Sequence, residues 1–204
     1  GASSVTIGGT TYTAPTTDLA GNARPSPVGT MPDMGAYENS NGVASYNGDS
    51  YYVSASSNYG NGSSTYPFPA IQQGIDASSS GDTVSVAAGT YVENINFSGK
   101  NIALLGEDRE TTIIDGNQSG PVVDCYYNEN MYFTPVLKNI TLTNGVGENF
   151  ENNIMGGGVF ARYSNPQLEN VLITGCSAWA GSAIYTYNPA TSDTTTIKNC
   201  VFSG

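Results

Sequence analysis

The sequence has no histidine and only three cysteines. Histidines and closely spaced cysteine pairs are the usual ligands of zinc, so a zinc site is not expected. Cys125, Cys176 and Cys200 cannot all pair within one chain, which leaves open whether one disulfide forms. The strand pattern described below points Cys200 inward, and we expect a buried thiol at that position.

Positive charge is also scarce, since 6 lysines and arginines stand against 17 aspartates and glutamates, giving a net charge of -11. Nucleic acids and anionic membranes are bound through lysine and arginine, so neither is an expected partner. An acidic surface tolerates cations, including calcium, although solubility alone would also account for the charge. No apolar run approaches the roughly 18 residues that span a membrane, and we expect no membrane insertion.

The composition is instead dominated by small and polar residues, with 25 glycines, 14 tyrosines and only 11% charged residues. This is typical of a β-rich surface covered by hydroxyl and amide groups, and it is unlike a cytosolic helical protein. We expect an extracellular or cell-surface location. The chain begins Gly1-Ala2-Ser3-Ser4 without a signal-peptide pattern, so we expect a processed or excised segment.

A short repeat decides the expected fold. Each copy contains an asparagine followed by alternating apolar residues, as in Lys138-Asn139-Ile140-Thr141-Leu142. A period of two marks a strand with one buried face. Asparagine tolerates left-handed backbone at a bend, so we expect these residues to stack in one column as an amide ladder. The four asparagines are Asn101, Asn139, Asn170 and Asn199, spaced by 38, 31 and 29 residues.

A second repeat lies between these copies, where residues 157–161 and 182–186 match at an offset of 25 and residues 120–124 look like an earlier copy. A coil of about 25 to 35 residues with three short strands is a β-helix turn, whereas leucine-rich repeats and propellers need other patterns. After Pro69, Ile71 and Ile75 share one face, which predicts a short helix covering the N-terminal end. The expected fold class is all-β, a right-handed parallel β-helix (solenoid) with a short N-terminal capping helix.

Several segments from residue 51 onward resemble known proteins. They are Tyr51-Tyr52-Val53-Ser54, Phe68-Pro69-Ala70-Ile71-Gln72, Gly81-Asp82-Thr83-Val84 and Gly89-Thr90-Tyr91. In these segments the chain is similar to the cap and first coil of the pectate-lyase-like superfamily of right-handed parallel β-helix repeat proteins. The resemblance implies a β-helix over 51–204, with an N-terminal cap over 51–80 and coils over 81–204. Because this fold hosts lyases, hydrolases, esterases, adhesins and fibres, the resemblance indicates the fold more than the function.

Residues 1–38 carry a different signal. The segments 18–25 and 32–38 resemble the C-terminal closing segment of bacterial surface β-helix proteins, and residues 39–50 are expected to form a polar linker. A closing segment followed by a new cap indicates the tail of one β-helix unit joined to the head of the next. We therefore expect self-association or contact with neighbouring β-helix units in a tandem or head-to-tail array. The alternative to an array is that the sequence is a segment cut from a longer single protein.

The resemblance also implies three enzyme templates. Hydrolases of this fold combine clustered aspartates with a histidine, and the sequence has no histidine. An esterase arrangement of Asp115, Asp124 and Arg162 has no motif to support it. A calcium-dependent polysaccharide lyase needs a basic residue, for which Arg162 is a better candidate than Arg109, with a surface arginine as the alternative.

Two further features are candidate contact sites. Glu148 and Glu151 flank asparagines in a long loop, which would suit calcium or would form only a solvated polar loop. Tyrosines cluster around the second repeat, and outward rings on a flat face would stack on sugars or on a neighbouring subunit. The tyrosines considered for this contact are Tyr126, Tyr127, Tyr163, Tyr185 and Tyr187.

The expected function is a secreted or cell-surface structural or adhesive β-helix module that has no resident cofactor. The alternatives are a calcium-dependent polysaccharide lyase and a glycan-binding module that uses the tyrosine-rich face.

Overall fold

The chain divides into two compact units, Gly1–Asn47 and Gly48–Gly204. The computed structural model describes residues 4–7, 10–13, 17, 46–126, 133–187 and 194–204. In the first unit, β1 (Ser4–Ile7) and β2 (Thr10–Thr13) pair antiparallel. The segment from 18 to 38 that resembles a closing segment lies outside the described residues, as do residues 39–45 of the expected linker.

The second unit consists of short strands and one helix. Its elements are β3 (Ser50–Val53), α1 (Ile71–Ala77), β4 (Thr83–Val86), β5 (Gly89–Val92), β6 (Ile95–Asn96), β7 (Ala103–Gly106), β8 (Thr112–Asp115), β9 (Val123–Cys125), β10 (Val136–Thr143), β11 (Glu148–Phe150), β12 (Asn153–Met155), β13 (Val159–Arg162), β14 (Gln167–Thr174), β15 (Ile184–Tyr187), β16 (Thr196–Lys198) and β17 (Val201–Ser203).

Apart from β11 and β12, these strands stack in parallel on three faces of a solenoid with about five turns. The first face runs β3, β4, β7, β10, β14 and β16, where β10 and β14 contribute their first halves. The second face runs β5, β8, the second halves of β10 and β14, and β17. The third face runs β6, β9, β13 and β15. The prediction of a parallel β-solenoid with one short N-terminal helix is confirmed.

Alternation along each strand builds the core. On the first face Val84, Leu104, Leu137 and Leu168 occupy one register column, and all four are buried. Since successive side chains of a strand point to opposite sides, every second residue of each rung enters the axis of the solenoid. Each inward aliphatic group therefore packs against its equivalents in the rungs above and below, which makes the core one continuous column.

The asparagine column differs from the expectation at one position. Asn139 and Asn170 are aligned in the β10–β14 register, and the Asn170 Nδ2 donates to the Asn139 Oδ1 at 3.0 Å. Asn199 follows in the same register. The expected alignment of Asn101 is wrong, because the residue that faces Asn139 is Gly106, whose carbonyl oxygen accepts from Asn139 Nδ2 at 3.4 Å.

The physical reason is an insertion at this corner of the solenoid. In β10 a single asparagine separates the residues of the first and second faces, whereas residues 107–111 separate β7 from β8. Asn101 lies five positions before Gly106, and its Oδ1 accepts from the Thr134 N–H at 2.6 Å. The three aligned asparagines all have φ between 53° and 57°, the left-handed conformation that turns the chain within one residue.

The helix α1 lies beside the first rungs, where Ile71 and Ile75 are fully buried in the solenoid core. Gly74 is required there, because a Cβ at this position would come within 2.8 Å of Val84. Among the described residues, no helix has the length and apolar character needed to cross a bilayer.

Candidate functional site

The outward side of the third face carries the largest group of aromatic side chains among the described residues. Along β13, Val159 and Ala161 enter the main core, and Phe160 and Arg162 therefore point outward. Register places Asp124 of β9 and Tyr185 of β15 on either side of Phe160. This face is the second repeat of the sequence, and the predicted offset of 25 residues between Val159 and Ile184 matches the register.

A hairpin folds over this face. Strands β11 and β12 pair antiparallel, from Glu148 opposite Met155 to Phe150 opposite Asn153. The turn residues Glu151 and Asn152 have φ of 51° and 64°, a turn geometry whose twist matches that of the flanking strands. Phe150 and Met155 are buried against Phe160 and form a small second core with it.

Ring contacts connect the hairpin with the third face. The group formed by Tyr126, Phe150, Phe160, Tyr163, Tyr185 and Tyr187 is called the aromatic face below. Ring centroids are 5.6 Å apart for Phe150 and Tyr187, 5.9 Å for Phe160 and Tyr185, and 6.2 Å for Tyr163 and Tyr187. Phe150 and Phe160 are buried, while Tyr187 is 37% exposed and Tyr126, Tyr163 and Tyr185 are partly exposed. The exposed rim of the aromatic face therefore consists of tyrosines.

Arg162 lies among three of these rings. The guanidinium carbon is 4.6 Å from the ring centroid of Phe150, 5.0 Å from that of Tyr126 and 5.1 Å from that of Tyr163. Cation–π contacts of this kind attract the guanidinium to the ring faces. The guanidinium is packed against aromatic faces, so the geometry suits a fixed positive charge within the aromatic face.

A small polar cleft of about 180 Å³ lies at the side of β6 and β9, lined in part by Asn94, Asn96, Ser119, Asp124 and Glu148. The Asp124 carboxylate accepts from Asn96 Nδ2 at 2.8 Å and from the Tyr126 N–H at 2.9 Å. Burial and the nearby Glu148 charge raise the pKa of Asp124 to about 6, against the lowering effect of these hydrogen bonds. The cleft thus offers amide donors and carboxylate acceptors, the groups that bind hydroxyl-rich ligands.

The other charged candidates named from the sequence are Glu148, Glu151, Asp115 and Arg109. Glu148 lies on the cleft side of the hairpin and Glu151 in its exposed turn, and the described residues contain no cluster of three metal-binding side chains. Asp115 ends β8 on the second face, where its carboxylate accepts from the Asn117 N–H and from Asn144 Nδ2. Arg109 pairs with its neighbour Glu110 at 3.0 Å.

The three cysteines and Tyr127 are the last residues named from the sequence. All three cysteines are free thiols, with Cys125 buried, and burial raises the pKa of its thiol well above the usual value. Cys200 is only partly buried, so the expectation of a buried thiol there is corrected: it lies on the last described rung. Tyr127 lies outside the described residues.

Sequence reasoning missed Phe150 and Phe160 as parts of this site. Phe150 is the one large apolar residue between Gly147 and Asn153, and an isolated aromatic residue in a polar loop is a signal that the loop folds onto a surface. Phe160 falls within the second repeat at residues 157–161, where alternation with Val159 and Ala161 points it outward.

Comparison with known proteins adds no further assignment, because no family model, no curated protein and no solved structure matches the chain.

Proposed function

We propose that this chain is a secreted or cell-surface adhesive β-solenoid module of the pectate-lyase-like type, which binds glycan chains through the aromatic face. The supporting observation is the tyrosine rim, in which Tyr126 and Tyr163 lie against the Arg162 guanidinium and Tyr187 contacts Tyr163. Tyrosine provides a large rigid contact area at low entropic cost together with a hydroxyl group. These properties suit the apolar ring faces and hydroxyl groups of sugars.

The adjoining polar cleft supports the same proposal. Asn96, Asp124 and Glu148 lie beside Tyr126, to which Asp124 is hydrogen-bonded. A sugar stacked on the tyrosine rim would present its hydroxyl groups to these donors and acceptors. We favour binding over cleavage because Arg162 is held in cation–π contacts.

The test is a glycan array with the wild-type chain and the Tyr187→Ala variant. We expect selective binding by the wild type and a loss of about tenfold in affinity for the variant, the size of one lost aromatic contact. Tyr66→Ala is the matched control, because Tyr66 is 49% exposed but lies in the loop after β3. Equal effects of the two substitutions, or no glycan bound, would refute the proposal.

A polysaccharide lyase is tested on the same material with acidic polysaccharides, with and without added calcium. A lyase releases unsaturated products that absorb in the ultraviolet. We expect none, and calcium-dependent release of such products would replace the adhesive function by the enzymatic one.

Assembly into a tandem or head-to-tail array is a second proposed role, favoured by the last described rung. Ile197 and Phe202 are each 47% exposed, although Leu168 and Ile173, which precede them in their columns, are each 1% exposed. Apolar surface of this kind is stabilised when it is covered. Strand β3 is the first strand of the first face, and the backbone N–H and C=O of its Tyr52 already bond to the loop that follows β3. This strand edge is therefore occupied, and in an array the last described rung would contact a different surface of the next molecule.

Sedimentation velocity over about a hundredfold range of protein concentration tests this role. We expect reversible association that is lost in the double variant Ile197→Lys/Phe202→Lys and retained in Val92→Lys, a residue that is 63% exposed on the second face. A monomer throughout the range would contradict assembly through this rung.

A further inference from the structure

A groove of about 500 Å³ lies on the outside of the first face. Its floor is formed where β3, β4 and β7 end, at Val53, Val86 and Gly106, which share one register position. One wall is the loop from Ser54 to Phe68, and the other begins at Glu107. The volume is in the range of small-ligand sites.

Both walls are held in place by hydrogen bonds within the chain. The first loop is bonded to β3 on either side of its bend, through the Tyr52 N–H to the Gly62 carbonyl and the Phe68 N–H to the Tyr52 carbonyl, both at 2.8 Å. Phe68 also stacks on Tyr51, with ring centroids 6.4 Å apart. Two fixed walls cost little entropy on binding, which favours affinity.

The second wall is formed by residues 107–111, the insertion between β7 and β8. Its Glu107 N–H donates to the Val86 carbonyl at 2.9 Å, and its Glu107 carboxylate accepts from the Ala88 N–H at 3.0 Å. The hydroxyl of Thr141 in the next rung fixes the loop further by donating to the Arg109 carbonyl at 2.8 Å. The rungs of β10 and β14 turn this corner with one asparagine each, so the groove is confined to the first three rungs.

The lining combines an aromatic surface with hydroxyl groups. Tyr52 is 36% exposed, and Leu105 and Pro67 extend its apolar surface, while Ser64, Ser85 and Glu107 supply polar atoms. Glu107 is the one charged residue among the described residues that line the groove. An anionic ligand is therefore disfavoured, and the mixture suits an uncharged ring with one apolar face and several hydroxyl groups.

We propose that this groove is a second carbohydrate site, which binds a pyranose ring of a neutral glycan. The C–H face of the sugar stacks on Tyr52, and its hydroxyl groups bond to Ser64, Ser85 and the Glu107 carboxylate. The site lies on a different face of the solenoid from the aromatic face and shares no residue with it. Two sites on separate faces would let one module contact two glycan chains.

The test is isothermal titration calorimetry of the full chain with cellohexaose and mannohexaose, and with hexagalacturonate as the anionic comparison. We expect saturable binding of at least one neutral oligosaccharide. Tyr52→Ala should weaken it by about tenfold, as for one lost aromatic contact, and Glu107→Gln should weaken it by less. The matched control is Tyr59→Ala, since Tyr59 is 59% exposed in the same loop and does not line the groove.

The outcomes separate this site from the aromatic face. A loss in Tyr52→Ala with none in Tyr187→Ala supports the groove. A loss confined to Tyr187→Ala supports the aromatic face and overturns the groove, as does an absence of neutral-glycan binding while the aromatic face still binds on the array. Equal losses in Tyr52→Ala and Tyr59→Ala would also overturn it. Thermal unfolding of each variant shows whether a loss reflects the site or the fold.

Discussion

At the scale of single residues, Asp124 is the titrating group with the clearest link between structure and pH. Its carboxyl is largely removed from water, and burial outweighs the two hydrogen bonds that it accepts, so its pKa rises to about 6. In the unfolded chain the same group has its ordinary pKa near 3.8. Between these two values the folded state binds more protons than the unfolded state, so stability falls as the pH rises.

We expect Asp124→Asn to remove this pH dependence. The free energy of unfolding of the variant minus that of the wild type should increase by about 2 to 3 kcal/mol between pH 3.5 and pH 8, because one pKa unit corresponds to about 1.4 kcal/mol. Urea unfolding of both proteins at several pH values measures the difference. A difference that does not change with pH would show that Asp124 is not held in a desolvated position.

The asparagine column is the second prediction at this scale. Asn170 has φ of 55° and donates an amide hydrogen bond to Asn139, so its role is both conformational and polar. Asn170→Ala should cost about 2 to 3 kcal/mol, the sum of a left-handed backbone and a lost hydrogen bond. Asn170→Gly keeps the backbone free and should cost only about 1 kcal/mol.

Urea unfolding again gives the values, with Asn149→Ala as a control at an exposed position on β11. Equal losses for Asn170→Ala and Asn170→Gly would mean that the backbone conformation contributes nothing.

At the scale of elements, the helix α1 depends on a residue of the first coil. Its N-cap residue Ala70 makes no side-chain capping bond. Instead the Glu93 carboxylate accepts from the Ile71 N–H at 2.8 Å and from the Gln72 N–H at 3.0 Å. Both oxygens thus satisfy first-turn amides that a helix leaves without partners. We therefore expect helix α1 and the first coil to fold as one unit.

Glu93→Gln should destabilise this unit, because the amide keeps one acceptor oxygen and turns its NH₂ group toward the other backbone donor. We expect a loss of about 1 to 3 kcal/mol in the free energy of unfolding, as for a charge-assisted hydrogen bond. Glu110→Gln serves as the comparison, since that side chain is 66% exposed and pairs with its neighbour Arg109. If both variants lose the same free energy of unfolding, the Glu93 carboxylate does not cap helix α1.

The elements also show how far the sequence could be interpreted. Strands around Asn139, Asn170 and Asn199 were predictable, since alternation and the asparagine bend repeat without an insertion. The first coil was misaligned because residues 107–111 interrupt the corner that elsewhere is one residue long. The hairpin could not be predicted, because the apolar contact that folds it, Phe150 against Phe160, joins residues that no local pattern connects.

At the scale of the whole molecule, stability is set by contacts between neighbouring rungs. In such a stack the total is close to a sum of rung stabilities and interface contributions. An inner residue is covered on two sides, whereas a residue of the last described rung is covered on one. Leu168 and Ile197 lie in one register column and show this difference, since Leu168 is 1% exposed and Ile197 is 47% exposed.

Leu168→Ala should therefore cost about 2 to 5 kcal/mol, the usual range for truncation of a buried aliphatic side chain, and Ile197→Ala less than about 1 kcal/mol in dilute solution. If a second molecule covers the last rung, binding stabilises the folded state, and the cost of Ile197→Ala should increase with protein concentration. Unfolding of both variants at low and high concentration measures this. A large, concentration-independent cost for Ile197→Ala would mean that this residue is already buried in the monomer. The last described rung would then not be the surface through which the solenoid associates.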